Sequence, residues 1–153
     1  MDASLISTRR GGGAAADPVV ALSGVYLSLP SRAGTVDILR GIDLEIAGAE
    51  AVGIVGPSGS GKTTLLMAIA GLERISSGKI RVAGRELADL DEDALARFRR
   101  DNVGIVFQSF HLIATMTALE NVAVPLEFRG LEDAFDRSRV ELERVGLGHR
   151  LDH

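Results

Sequence analysis

The stretch GPSGSGKTT, residues 56 to 64, constrains this chain more than any other part of it. It sits between a short apolar run, AVGIV at 51–55, and an apolar helix-like segment, LLMAIAGL. Glycine there lets consecutive backbone N–H groups curl into a concave anion site with no side chain in the way. A helix starting near Gly61 points the positive end of its dipole at the same place. The spacing of Gly56, Gly61, Lys62 and Thr63 fits G-x-x-x-x-G-K-[ST], a strand-to-helix loop for nucleotide phosphates. In such a loop Gly56, Pro57, Ser58, Gly59, Ser60 and Gly61 wrap the phosphates. Lys62 reaches the β- and γ-phosphates, Thr63 offers its hydroxyl to Mg²⁺, and Thr64 supplies a further donor to the α-phosphate. Of the 17 basic residues only Lys62 and Lys79 are lysines. A chain that otherwise uses arginine has placed a compact ammonium in this loop, and the two cations are not interchangeable.

The remaining sequence narrows the class. At 153 residues the chain is long enough for one domain with a hydrophobic core. A net charge of −4 gives no basic face for nucleic acid, and the absence of cysteine excludes disulfides and thiolate metal sites. His111, His149 and His153 have no metal-ligand spacing. No apolar run approaches the roughly 18 residues of a membrane span, and the N-terminus lacks a signal peptide's apolar segment. A cytosolic chain is expected, reaching a membrane only through a partner. Residues 1–18 read as a disordered tail and residues 19–153 as a domain.

Along that domain, VVALSGVYLSL and VDILRGIDLEIAG predict two antiparallel strands, and GKIRVAG predicts another. AVGIV and VGIVFQ, 103–108, predict buried strands. The segment DLDEDALARFRR, with acids first and arginines last, predicts a helix. TALENVAVPLEFRG and LEDAFDRSRVELERVGLG predict two more, the second ending at Gly146. Strands alternating with helices around a phosphate loop predict an α/β fold with a mainly parallel sheet. A GTPase is disfavoured. DNVG, 101–104, fits the D-x-x-G switch pattern, but Asp101 precedes an apolar strand instead of ending one, and neither lysine follows an asparagine. Nothing after the loop resembles the arginine-bearing lid of a small-molecule kinase.

The order of GPSGSGKTTLL, AGLERISSGKIRVAG, VGIVFQSFHL and TALENV resembles the ATP-binding subunit of ABC transporters, in the lipoprotein-release and macrolide-export branch. The resemblance covers about residues 20 to 153. It implies a P-loop NTPase fold with a mainly parallel sheet, an antiparallel β subdomain and the start of a helical subdomain. It implies ATP and Mg²⁺ as ligands and an ATPase that drives a membrane permease, peripheral on the cytoplasmic face and paired with a second ATP-binding subunit. It assigns Gln108 to Mg²⁺ and the attacking water, and the segment Ser109–Leu119 to the permease. His111 is then a surface or interface residue.

The sequence departs from this family in three respects. The position of the family's adenine-stacking aromatic is Leu29, and the nearby aromatic, Tyr26, is either a sheet residue or an adenine contact. Ala114 stands where the branch often has proline. The signature sequence, the Walker B strand, the D-loop and the switch histidine do not occur within the 153 residues. VAVPLE, ending at Glu127, is no Walker B substitute, because Pro125 interrupts it and its surroundings read as helix. Two expectations stay open: the N-terminal part of an ATPase motor subunit, or a non-catalytic remnant that at most binds nucleotide or a partner. In either case residues 1–153 alone are expected not to hydrolyse ATP.

Overall fold

The computed structural model describes residues 17–31 and 34–153, so most of the tail expected over residues 1–18 lies outside it. The described residues fall into two compact units, divided between Val103 and Gly104.

The first unit is built on a four-stranded antiparallel sheet. Strands β1 (Val20–Ser31) and β2 (Gly34–Ile46) form a long hairpin, and β3 (Ser77–Val82) and β4 (Arg85–Glu86) extend it in the order β2-β1-β3-β4. The β1 sequence explains an irregularity in the sheet. Val20 and Leu22 are buried, then Val25 and Leu27, so the inward-facing alternation slips by one residue at Ser23–Gly24. A slip of that kind requires a bulge, because side chains alternate faces with period two. The pairing with β2 shifts between Leu22 and Val25, Gly24 takes a φ of 53°, and its N–H donates to Asp43 Oδ1 at 2.8 Å. On the other side β3 crosses very close to the bulge. A Cβ on Gly78 (φ 95°) would meet the Gly24 carbonyl group and lie 2.8 Å from the Ser23 carbonyl oxygen.

Helix α1 (Lys62–Ile69) and helix α2 (Glu92–Asn102), with a 3-10 turn at Leu87–Asp89, supply the other half of this core. Leu65 and Ala68 of α1 and Leu95 and Phe98 of α2 lie three residues apart, on one helix face each, and join Leu22, Val25, Leu27, Leu39, Leu44 and Ile80 of the sheet. Helix α1 ends as its glycine predicts: Gly71 is left-handed (φ 69°), Leu72 N–H bonds to Met67 O, and Gly71 N–H bonds to Ala68 O. Helix α2 is capped by Asp91, whose side chain accepts from Ala94 N–H. Asp101 lies in the last turn of α2, paired with Arg100 at 2.9 Å, which is no place for a GTPase switch aspartate.

The second unit contains α3 (Ala118–Glu127), α4 (Ala134–Arg144) and a 3-10 turn at Gly148–Arg150. Ala123, Ala134, Ser138 and Leu142 are buried in it. Pro125 and Glu127 lie within α3, so VAVPLE is helix. The left-handed Gly146 ends α4 as expected.

The α/β character, the antiparallel subdomain and the start of a helical subdomain are present, but the expected parallel sheet is not formed among the described residues. Neither 51–55 nor 103–108 has a strand partner, so neither is assigned as a strand. A strand exists only where a neighbour takes its backbone bonds. Both segments were expected to be buried, and neither is. Val52 and Ile54 are half-buried while Val55 is 60% exposed, and Val106 is fully exposed.

Candidate functional site

The glycine-rich loop belongs to the first unit and leads directly into α1. Its turn is closed by Ser60 N–H donating to Pro57 O at 3.3 Å. Gly59 and Gly61 take left-handed φ values of 77° and 88°, which an L side chain rarely adopts. The two glycines have different surroundings. A Cβ on Gly59 would meet nothing within 4 Å, whereas a Cβ on Gly61 would lie 3.1 Å from Ile38 Cγ2, 3.2 Å from Ile38 O and 3.3 Å from Leu39 Cδ2. The hairpin strand β2 therefore backs the loop at Gly61 and fixes the start of the helix there.

That start is open electrically. Gly61 is the N-cap and offers no side-chain acceptor, and the first turn of α1 contains no acid. The first N–H groups of a helix have no partner within it, so α1 presents donors and a positive dipole end to whatever lies ahead. The Lys62 side chain turns back into the loop, and its Nζ donates to Gly56 O at 2.9 Å and Pro57 O at 2.7 Å, with Ser60 Oγ at 3.5 Å. Residues 56–59 and Thr63 are exposed, and Ser60, Gly61, Lys62 and Thr64 are half-buried. Left-handed glycines, an uncapped helix and an ammonium make a cradle that fits a polyphosphate. Its fit to Mg²⁺ is narrower: the Thr63 hydroxyl is an available ligand, and no group of three or more metal-binding side chains occurs among the described residues.

Tyr26 is 47% exposed, and its ring lies over Gly41 of β2, whose Cβ would come 2.9 Å from the Tyr26 hydroxyl. Leu29 is 37% exposed.

In the second unit Gln108 is exposed and stands in an irregular segment. Three residues further on, His111 has a φ of 49°, lies 2.9 Å from Ser109 Oγ through Nε2, and meets the Phe107 ring edge-on at 4.7 Å. Phe110 and Leu112 are 90% and 69% exposed. From Ile113 the segment is tied to α3. Thr117 and Glu120 form a reciprocal capping box, in which Glu120 Oε2 accepts from Thr117 N–H at 2.7 Å and Thr117 Oγ1 accepts from Glu120 N–H at 3.2 Å. The backbone bond from Thr117, then the bond from its hydroxyl, hold the Glu120 carboxyl below its usual pKa. Asn121 bonds to Ile113, Met116 and Thr117.

Sequence reasoning assigned no role to Ile38, Leu39 or Asn121. Nothing in β2 reveals that it backs the loop. Asn121 did carry a signal, since asparagine inside a helix competes for backbone groups and is there for a reason.

This geometry coincides with a family match. Residues 39–153 match the family described as ABC transporter. The chain belongs to the ABC transporter family. It is 45% identical over 139 residues to the lipoprotein-releasing system ATP-binding protein LolD 2 of Caulobacter vibrioides, covering 90% of this chain and 61% of that protein. It is also 45% identical over 139 residues to the macrolide export ATP-binding/permease protein MacB 1 of Aeromonas hydrophila, covering 22% of that protein. Among solved structures it resembles the ATP-binding cassette MJ0796, a dimer bound to ADP and Pi, with a TM-score of 0.81 and 37% identity. That match covers 88% of this chain and 60% of the cassette. This ABC transporter chain thus spans about three-fifths of LolD 2 and of the MJ0796 cassette. No helix among its described residues is long and apolar enough to cross a membrane.

Proposed function

We propose that this chain is the ATP-binding part of an ABC transporter, coupling ATP binding and hydrolysis to a membrane permease. The observation that carries the reading is the loop itself: two left-handed glycines and the Lys62 ammonium ahead of an uncapped, acid-free helix. Residues Gly56 to Thr64 hold the phosphates, with Lys62 at the β- and γ-phosphates and Thr63 as a ligand to Mg²⁺. Mg²⁺, held there by the Thr63 hydroxyl, would supply positive charge beside the phosphates. By the family resemblance, Gln108 would serve as a further ligand to Mg²⁺ and would orient the attacking water. The exposed segment after Gln108 faces the permease, on the cytoplasmic side of the membrane. A second ATP-binding subunit completes the assembly, as the dimeric form of the MJ0796 cassette suggests by analogy.

Residues 1–153, partial relative to the family domain, contain no Walker B acid and no signature sequence. Hydrolysis needs an acid beside the water and charge stabilisation from groups closing over the γ-phosphate. Residues 1–153 by themselves are expected to bind nucleotide without turning it over; the second reading is a non-catalytic remnant that at most binds nucleotide or a partner.

An ATPase assay on residues 1–153, beside the Lys62→Ala variant, should show no turnover in either. Turnover that disappears with Lys62 would mean that the catalytic acid lies within these residues. Sequencing beyond codon 153 separates the two readings: an in-frame signature and Walker B restore the motor, and a stop codon favours the remnant.

A further inference from the structure

We propose that Asn121 is a positioning residue for the permease contact: it clamps the segment after Gln108 onto α3, so that the exposed apolar side chains are presented from a fixed backbone. The inference rests on the reading of that segment as permease-facing.

Four hydrogen bonds make the clamp. Asn121 Oδ1 accepts from Ile113 N–H at 2.8 Å. Nδ2 shares its two hydrogens among Ile113 O at 3.1 Å, Met116 O at 3.0 Å and Thr117 O at 2.9 Å. Both backbone groups of Ile113 are thus engaged by one side chain, as a strand neighbour would engage them. The chemistry admits few alternatives, since it needs one acceptor and a two-hydrogen donor on a short stem. Aspartate keeps the acceptor and loses the donors. Leucine has similar bulk and loses both.

The clamp takes hold of backbone alone and leaves the side chains outward. Ile113 and Met116 are 43% and 38% exposed, and Phe110 and Leu112, just upstream of the anchor, are 90% and 69% exposed. The neighbouring Thr117–Glu120 capping box fixes the other end of the same short loop to the first turn of α3. Two consecutive helix residues, Glu120 and Asn121, therefore hold residues 113–117. A push on Phe110 or Leu112 is delivered to α3 through Ile113 and Asn121, and a loosened clamp would dissipate it in the loop.

The test uses the membrane complex purified through a tag on the full-length protein, with a photoreactive benzoylphenylalanine in place of Phe110. In the otherwise wild-type protein, irradiation should link position 110 to an integral membrane subunit of the complex. Asn121→Leu should lower that cross-link and the ATPase rate of the assembled complex about tenfold, the scale set by losing hydrogen bonds. Mg·ATP affinity should stay unchanged, and amide exchange at Ile113 should accelerate. Asn121→Asp should fall between the two, and it serves as the test variant if Asn121→Leu loses Mg·ATP binding. Fast exchange at Ile113 with wild-type cross-linking and ATPase would overturn the proposal, leaving the clamp a local tie. Absence of any membrane cross-link in the Asn121 protein would instead overturn the permease reading beneath it.

Discussion

Replacing Gly61 with alanine should destabilise the protein more than replacing Gly59, although both are left-handed. The two φ values, 88° and 77°, impose a similar penalty on an L residue, about 1–2 kcal/mol. Alanine regains about 0.4–1 kcal/mol at either site by restricting the unfolded chain. These contributions largely cancel between the variants, so the difference isolates crowding. At Gly59 the new methyl meets nothing within 4 Å, and at Gly61 it meets Ile38 Cγ2, Ile38 O and Leu39 Cδ2 at 3.1–3.3 Å. Leu39 Cδ2 can swing aside, but Ile38 O is backbone, at the point in β2 where the register with β1 shifts between Leu39 and Asp37. Overpacking of this kind costs about 1–3 kcal/mol, so Gly61→Ala should be the less stable variant by that amount. Urea unfolding followed by circular dichroism measures the difference. Titration with Mg·ATP should show a loss in both variants, since both glycines belong to the loop, and a larger one in Gly61→Ala, where yielding also moves the first turn of α1. Equal stabilities for the two variants would refute the claim that β2 backs the loop.

Three shorter predictions concern other parts of the molecule. Lys62→Ala should weaken Mg·ATP binding by about 1.5–3 kcal/mol, roughly 10- to 150-fold, as for a charged hydrogen bond; unchanged affinity in calorimetry would displace the phosphate site from this loop. Gly78→Ala should cost about 2–5 kcal/mol in urea unfolding, combining a left-handed alanine with a clash against the backbone of β1; a loss under about 1 kcal/mol would mean that β3 does not cross β1 at the bulge. The capping of α3 should depend on pH. The folded Glu120 carboxyl titrates below its unfolded value, so its contribution is fully present above the unfolded pKa and is lost as pH falls through the folded one. Amide exchange at Thr117 should accelerate over that acid range, and in Glu120→Gln the dependence should disappear.

The antiparallel hairpin and the α-helices of the described residues were legible because most carry a local signal: alternation in β1 and β2, a glycine after α1 and α4, acids at the start and arginines at the end of α2. The bulge at Gly24 was not legible, because VVALSGVYLSL reads as one alternating strand. The segments at 51–55 and 103–108 misled because an apolar run records only a tendency to be buried in a sheet. The ladder that makes it a strand lies on another part of a chain. The turn of the loop was legible in its glycines, of which Gly59 and Gly61 are left-handed. Its backing by Ile38 and Leu39 was not, because that contact joins residues over twenty positions apart. Asn121 went unassigned because its partners are backbone groups, which any residue at 113, 116 or 117 would supply.

The bonds from Lys62 to Gly56 O and Pro57 O have a consequence for how this loop can respond to a ligand. A free lysine side chain gives up about 2 kcal/mol of rotamer entropy when it is immobilised. Here that loss accompanies folding, so on the proposed reading an arriving phosphate would exchange one set of oxygen partners for another without first having to still a mobile arm. The same exchange sets a threshold. An anion must compete with two carbonyls already in contact, which a single weak oxygen does poorly and a multiply charged chain of phosphates does well. In the proposed phosphate-binding role, the preorganised ammonium would act as a filter on valence as well as a contact, and salt that screens one surface charge should leave the resting loop much as it is.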